Sequence, residues 1–268
     1  MLGAITGDMV GSRFEWQNYK RKDFELFTPA STFTDDTVLT CATAQALLTG
    51  GGGDYAEVYR QFYRMYPERG YGMRFRMWGE GAIEGPYESW GNGSAMRVSP
   101  VAWAFDTLDE VLAEARRSAE VTHNHPEGIK GAQCIAAATF LARTGATRDD
   151  IRKFVIQRLG YDLGFTLDAI RSEYRFDVSC QGSVPQAVVA FLESRDFEDA
   201  LRNAISIGGD SDTIGAMTGA IAEAFYGKIP EKIFRETWKR LPLRFREIIR
   251  NFSEKYPAYQ SCFDDMSI

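Results

Sequence analysis

Two short segments of the 268-residue chain place carboxylates and hydroxyls side by side directly ahead of apolar runs. They are Thr34, Asp35, Asp36, Thr37 and Asp210, Ser211, Asp212, Thr213. Asp, Ser and Thr are the ordinary helix N-cap residues, and a carboxylate there is stabilised by the helix dipole, so each segment alone reads as a cap. Capping needs one acceptor oxygen, whereas each segment offers two carboxylates and at least one hydroxyl. If the two helix starts converge, four carboxylates share a small volume and repel one another unless cations neutralise them. Hard oxygen donors without His or Cys select Mg²⁺ or Mn²⁺ over zinc. Two such ions about 3.5–4 Å apart polarise a substrate oxygen and supply an activated water. Convergence is an expectation at this point.

A second feature is Gly91, Asn92, Gly93, Ser94, Ala95, Met96, Arg97, a Gly-rich turn entering a helix. Backbone N–H groups at such a turn cradle phosphate without net positive charge, although Gly-rich turns are also common structural devices. Arg97 has two readings, a charged contact to a ligand or a structural ion-pair partner. Both histidines fall in Thr122–His123–Asn124–His125. A zinc site needs further soft ligands, and none lies nearby. His123 reads as a hydrogen-bonding group for a ribose or phosphate, or as a structural polar residue. Glu15 stands at the end of the first helix, before an irregular stretch. An exposed helix-end glutamate is the plain reading, and a substrate clamp or acid/base group the functional one.

Around these residues the composition sets bounds. A net charge of -6 supplies no general attraction for nucleic-acid backbones or anionic lipid, so an anionic ligand must be held by local geometry or metal. Cys41, Cys134, Cys180 and Cys262 lie far apart without a CxxC pair, which fits reduced core thiols. The opening apolar stretch is interrupted by Asp8, Arg13 and Glu15, unlike a signal peptide, and no run reaches the ~20 apolar residues of a membrane span. The expectation is a cytoplasmic monomer folded as a single domain over 1–268.

The elements that must position the chemistry read as helices. Gly3, Gly7 and Gly11 are spaced four apart, giving an opening helix one face almost free of side chains. Residues 17–33 read as a loop of lid or binding type. A capped helix follows from Thr34 and closes on the glycine run at 50–53, and another runs from Asp54 to before Pro67. Residues 70–92 are rich in Gly and aromatics without clear period. The segment 91–105 leads from the glycine turn into a helix, and further helices are expected across 107–124, 127–145, one or two across 147–175, then 183–195, 196–208 and 213–227. Period-2 alternation is nearly absent, so the fold class is all-α with roughly ten or more helices.

Taken in order, GDMVGSRFE, TDDT, GNGSAMR, TH, SVPQAVVAFL and GGDSDTIGAMTGAIAEAFYG resemble the motifs of the ADP-ribosylglycohydrolases, over about Leu2 to Gly227. The resemblance implies a compact multi-helix domain with a binuclear Mg²⁺ or Mn²⁺ centre in a cleft. The implied reaction is hydrolysis between the distal-ribose anomeric carbon and an acceptor on a protein side chain, such as arginine or serine, or on a small molecule. It makes Thr34, Asp35, Asp36, Asp210, Asp212 and Thr213 metal ligands and puts Glu15 on a mobile flap. It gives the diphosphate to Gly91, Asn92, Gly93, Ser94, Ala95 and Met96, with His123 against the ADP-ribose. Asp35, Asp36 or Asp210 would orient or deprotonate the water, and Glu15 would gate the site or move a proton. Ser94 departs mildly from the Gly or Ala often found there. Acceptor choice is expected to lie in residues 17–33 and 66–90. The alternatives are a non-catalytic ADP-ribose binder, from which a lost carboxylate would be expected, and a hydrolase of another small ADP-ribosyl compound.

Overall fold

The computed structural model describes residues 1–50 and 54–260, so the glycines 51–53 and Cys262 lie outside the described residues. The helices are α1 Leu2–Gly11, α2 Asp35–Leu48, α3 Tyr55–Met65, α4 Met73–Gly79, α5 Gly93–Met96, α6 Val101–Ala104, α7 Leu108–Glu120 and α8 Pro126–Arg143. They continue as α9 Arg148–Leu159, α10 Leu167–Ile170, α11 Cys180–Leu192, α12 Phe197–Ser206, α13 Ser211–Tyr226, α14 Glu231–Arg240, α15 Leu243–Lys255 and α16 Pro257–Gln260. Among the described residues there is no strand, only an antiparallel bridge between Gly91 and Ser179. The all-α expectation holds.

The centre of the fold is a pair of helices without a polar face. Every residue of α1 is buried, as is α13 from Ser211 to Ala224, which is the behaviour of helices apolar all round. Their glycines meet. A β-carbon on Gly3 would lie 2.1 Å from the Gly219 carbonyl oxygen, one on Gly7 1.9 Å from that of Gly215, and one on Gly11 2.4 Å from that of Ser211. The order 3–219, 7–215, 11–211 makes the pair antiparallel, so the C-terminal end of α1 lies against the start of α13. Backbone-to-backbone contact of this kind leaves the two helices no freedom to slide. Helices α8, α11 and α12 pack around α13, and α2 lies against both α1 and α15.

Starts and stops follow local chemistry. Thr107 with Glu110 and Thr147 with Asp150 form capping boxes, Pro126 opens α8, and Gly160 and Gly227 close α9 and α13 in the left-handed conformation. Cys41, Cys134 and Cys180 are buried free thiols. No helix of the described residues is long and apolar enough to cross a membrane.

Four details differ from the sequence reading. First, α1 stops at Gly11, and Glu15 sits four residues further on, in a turn over 12–18. Second, residues 70–92 contain the seven-residue α4. Third, the glycine turn leads into two four-residue helices instead of one, with Pro100 between them. Fourth, α14 to α16 were not anticipated. The loop over 17–33 is irregular as expected, but it is tied down. Lys20 Nζ donates to the Tyr174 and Ile207 carbonyls, Lys22 pairs with Asp199 at 2.9 Å, and Arg202 donates to the Lys22 and Phe24 carbonyls.

Candidate functional site

The two acid segments meet because α1 holds both. On one side the α1–α13 contact fixes Asp210, Ser211 and Asp212. On the other, Asp8 accepts from the Thr34 N–H at 3.0 Å, the Thr34 hydroxyl at 2.8 Å, the Thr37 N–H at 3.1 Å and the Thr37 hydroxyl. Those bonds clamp the first turn of α2 onto the buried middle of α1. Gly208 and Gly209, at φ +69° and +73°, then turn the chain into α13 where a side chain would strike Asn18 or Tyr174.

Convergence is direct. The Thr213 hydroxyl donates to Asp36 Oδ2 at 3.2 Å across 177 residues of sequence, and Thr34 Oγ1 reaches the same oxygen at 3.4 Å. Glu15, Asp210 and Asp212 each offer a carboxylate oxygen within 4.8 Å of one another. Asp35, half-buried, lines the same cleft. The capping question divides. Thr34 does cap α2, accepting from the Asp36 N–H at 3.3 Å, whereas Asp210 stands at the N-cap position of α13 without capping it. Its Oδ2 instead accepts from Asn92 Nδ2 at 2.7 Å.

Five carboxylates in one cleft resist ionising together. Burial first, then Asp210 and Asp8, push Glu15 up to about 7. Burial and neighbouring carboxylates, Asp8 foremost, raise Asp35 and Asp36 well above the usual range. Burial and then Asp210 and Asp36 do the same to Asp212, and burial raises Asp210. Asp36 Oδ1 is buried without a hydrogen-bond partner. An oxygen-only donor set with an unsatisfied buried carboxylate oxygen fits hard divalent cations, and no His or Cys joins it.

The cleft, about 410 Å³, extends from these acids to the glycine turn, with Gly91, Asn92, Gly93, Met96, Arg97 and His123 along its wall. Ser94 and Ala95 do not line it. Ser94 is buried with its hydroxyl on the Gly128 carbonyl at 2.6 Å, and Ala95 faces the core. A β-carbon on Gly93 would sit 3.1 Å from His123 Nε2, so the absence of a side chain there lets the Nε2 edge of the ring approach the turn closely. His125 caps α8 instead, accepting from the Glu127 N–H at 3.1 Å. Arg97 is fully buried and makes no ion pair among the described residues. It lies over the Tyr59 ring at 4.3 Å and donates to the Ser118 carbonyl and the Thr122 hydroxyl. At the mouth, Trp16 and Phe176 stack at 4.8 Å while 78% and 41% exposed.

Sequence reasoning missed Asp8 as a site residue, although an Asp inside an otherwise apolar helix was the available signal. It also missed Trp16 and Phe176, which no spacing connects.

Compared with known proteins, residues 1–261 match the sequence profile of the ADP-ribosylglycohydrolase family. The chain is 28% identical to mouse (Mus musculus) ADP-ribosylhydrolase ARH3, covering 86% of this chain and 84% of that protein. It is 25% identical to the ADP-ribosylarginine hydrolase Tri1 of Pseudomonas putida strain GB-1, covering 90% and 74%. A solved structure described as an ADP-ribosylglycohydrolase-related protein complex superposes with a TM-score of 0.75 at 26% identity, covering 96% of this chain and 95% of that one.

Proposed function

The chain belongs to the ADP-ribosylglycohydrolase family and is a glycosidase-type ADP-ribosylhydrolase, and from that premise we propose that it uses two divalent cations, Mg²⁺ or Mn²⁺, to free ADP-ribose from a modified acceptor. The bond cut is the one at the anomeric carbon of the distal ribose. The observation that carries this reading is the meeting of Glu15, Asp210 and Asp212 within 4.8 Å in a cleft that Asp36, with its buried Oδ1 unpartnered, also lines.

In this reading Thr34, Asp35, Asp36, Asp210, Asp212 and Thr213 hold the cations. Bound there, the ions supply Lewis-acid polarisation of ribose oxygens and an acidified water. The chain's own groups do the rest. Asp35, Asp36 or Asp210 orients the water or takes its proton, and Glu15 moves a proton or closes the site as the glycosidic bond breaks with oxocarbenium character. Thr34 is suited to a ligand role because its hydroxyl proton is given to Asp8, leaving an oxygen lone pair for a cation. Of the turn from Gly91 to Met96, Gly91, Asn92, Gly93 and Met96 line the cleft and take the diphosphate; the N–H groups of Gly91, Asn92, Ala95 and Met96 are spent on Ser89, Val178 and Asn92, so those of Gly93 and Ser94 face the anion in a chain of net charge -6. His123 contacts the same ligand. Buried unpaired thiols at Cys41, Cys134 and Cys180 support a reducing compartment, and we place the protein in the cytoplasm as a monomer.

Purified protein should be incubated with arginine-linked and serine-linked ADP-ribosylated peptides and with a small ADP-ribosyl compound, and free ADP-ribose quantified. Release from one substrate class confirms the hydrolase and names its linkage. No release from any, in protein that binds ADP-ribose by calorimetry, would replace this reading with a binding-only one.

A further inference from the structure

Arg97, Thr122 and His123 form a chain of hydrogen bonds behind the glycine turn. Arg97 Nη2 donates to Thr122 Oγ1 at 2.8 Å, and Thr122 Oγ1 lies 2.7 Å from His123 Nδ1. A guanidinium is always a donor and never an acceptor, so it occupies one lone pair of the Thr122 oxygen. The oxygen keeps its own proton and a second lone pair; turning the proton to Nδ1 at 2.7 Å leaves that lone pair for the Tyr87 phenol, which also reaches Thr122. We propose that this relay locks His123 as the Nε2–H tautomer, making Arg97 and Thr122 positioning residues that present a hydrogen-bond donor to the ligand at the glycine turn.

Three observations agree. The Nε2 edge is the one that meets the turn, 3.1 Å from where a Gly93 β-carbon would stand and 3.6 Å from that of Gly91. Nε2 has no hydrogen-bond partner among the described residues, while all three side chains of the relay are at most 5% exposed. Arg97 brings a buried positive charge without a carboxylate to neutralise it. Burial and that charge hold His123 well below its usual range, so the ring stays neutral and has one proton to place. A neutral imidazole fixed with N–H outward donates to a phosphate or ribose oxygen and cannot accept from it. The local field of Arg97 also favours an anion in a chain that is acidic overall.

The tautomer itself is independent of the ligand; its use rests on the ADP-ribose reading above. With two histidines in the chain, a long-range ¹H–¹⁵N spectrum of the labelled full-length protein resolves both rings, assigned by His125→Ala. The relay predicts a protonated Nε2 and an unprotonated Nδ1 for His123. Thr122→Val removes the lock and gives a mixed or reversed pattern, with ADP-ribose affinity about tenfold weaker. Thr122→Ser restores both. An Nδ1–H form in the wild type, or a Thr122→Val spectrum unchanged from wild type, overturns the proposal. If the predicted tautomer is found and calorimetry shows ADP-ribose bound while Nε2 stays unmoved, the donor role is overturned and the ligand reading stands; if calorimetry shows no binding, the ligand reading fails and the relay stands.

Discussion

Asp8 is buried behind the cleft and does not line it, yet both its oxygens are spent on Thr34 and Thr37, whose positions decide where Asp35 and Asp36 point. Replacing it with Asn puts an amide donor where N–H and O–H groups already point. We expect Asp8→Asn to lower stability by about 1–3 kcal/mol and to weaken divalent-cation binding, seen as a lower melting temperature and a right-shifted Mn²⁺ titration. Asp212→Ala should behave oppositely in stability. It removes one of several mutually repelling carboxylates, so the metal-free protein should melt no lower, while turnover falls about 1000-fold as several kcal/mol of transition-state stabilisation is lost. Retained turnover in Asp212→Ala would refute the two-metal assignment. The residue types of this centre were legible because excess acceptor capacity is visible in TDDT and DSDT. Asp8 was not, since a buried carboxylate gains its meaning only from the groups it faces. Arg97 was ambiguous for the same reason: sequence cannot say whether a cation meets a carboxylate or, as here, an aromatic ring and a hydroxyl.

At the scale of elements, the antiparallel contact of α1 and α13 is what brings the acid segments together, so it should be the point where a methyl group does most harm. A β-carbon on Gly7 meets the Gly215 carbonyl oxygen at 1.9 Å, and backbone cannot swing aside. Gly7→Ala is expected to destabilise by about 3 kcal/mol or more and to reduce activity beyond the loss of folded protein. Gly85→Ala, where nothing lies within 4 Å, should change stability by less than about 0.5 kcal/mol. Thermal denaturation with turnover per folded molecule checks both. The small faces were readable: glycines at 3, 7 and 11 repeat at helical spacing. That α13 is their partner was not, because complementarity of two bare surfaces leaves no mark in either sequence alone. The short α4 escaped for want of length, since seven residues give too few turns to show a period.

Over the whole molecule, the acid cluster ties stability to pH and metal. Each of these carboxyls binds its proton more tightly in the folded chain than in the unfolded one. Their contribution is therefore present below about 4, the ordinary carboxylate value, and is lost as pH rises through about 6 for Asp8 and about 7 for Glu15. Divalent cations offset that loss by neutralising the ionised forms. The gap in melting temperature between Mg²⁺-loaded and EDTA-treated protein should widen from pH 5 to pH 8, and a gap constant with pH would contradict the cluster as the metal site. The all-helical class and the order of motifs were evident from the chain, while its last helices and the pinned loop over 17–33 depend on long-range contacts such as Arg240 to the Thr28 carbonyl.

The most direct test titrates Mn²⁺ into metal-free protein, counting bound ions by electron paramagnetic resonance and assaying ADP-ribose release in the same samples. Two ions per chain are expected, with release appearing as the pair fills and vanishing in EDTA. Full release in EDTA, or stoichiometric Mn²⁺ binding that survives in Asp212→Ala unchanged, would contradict the two-metal assignment.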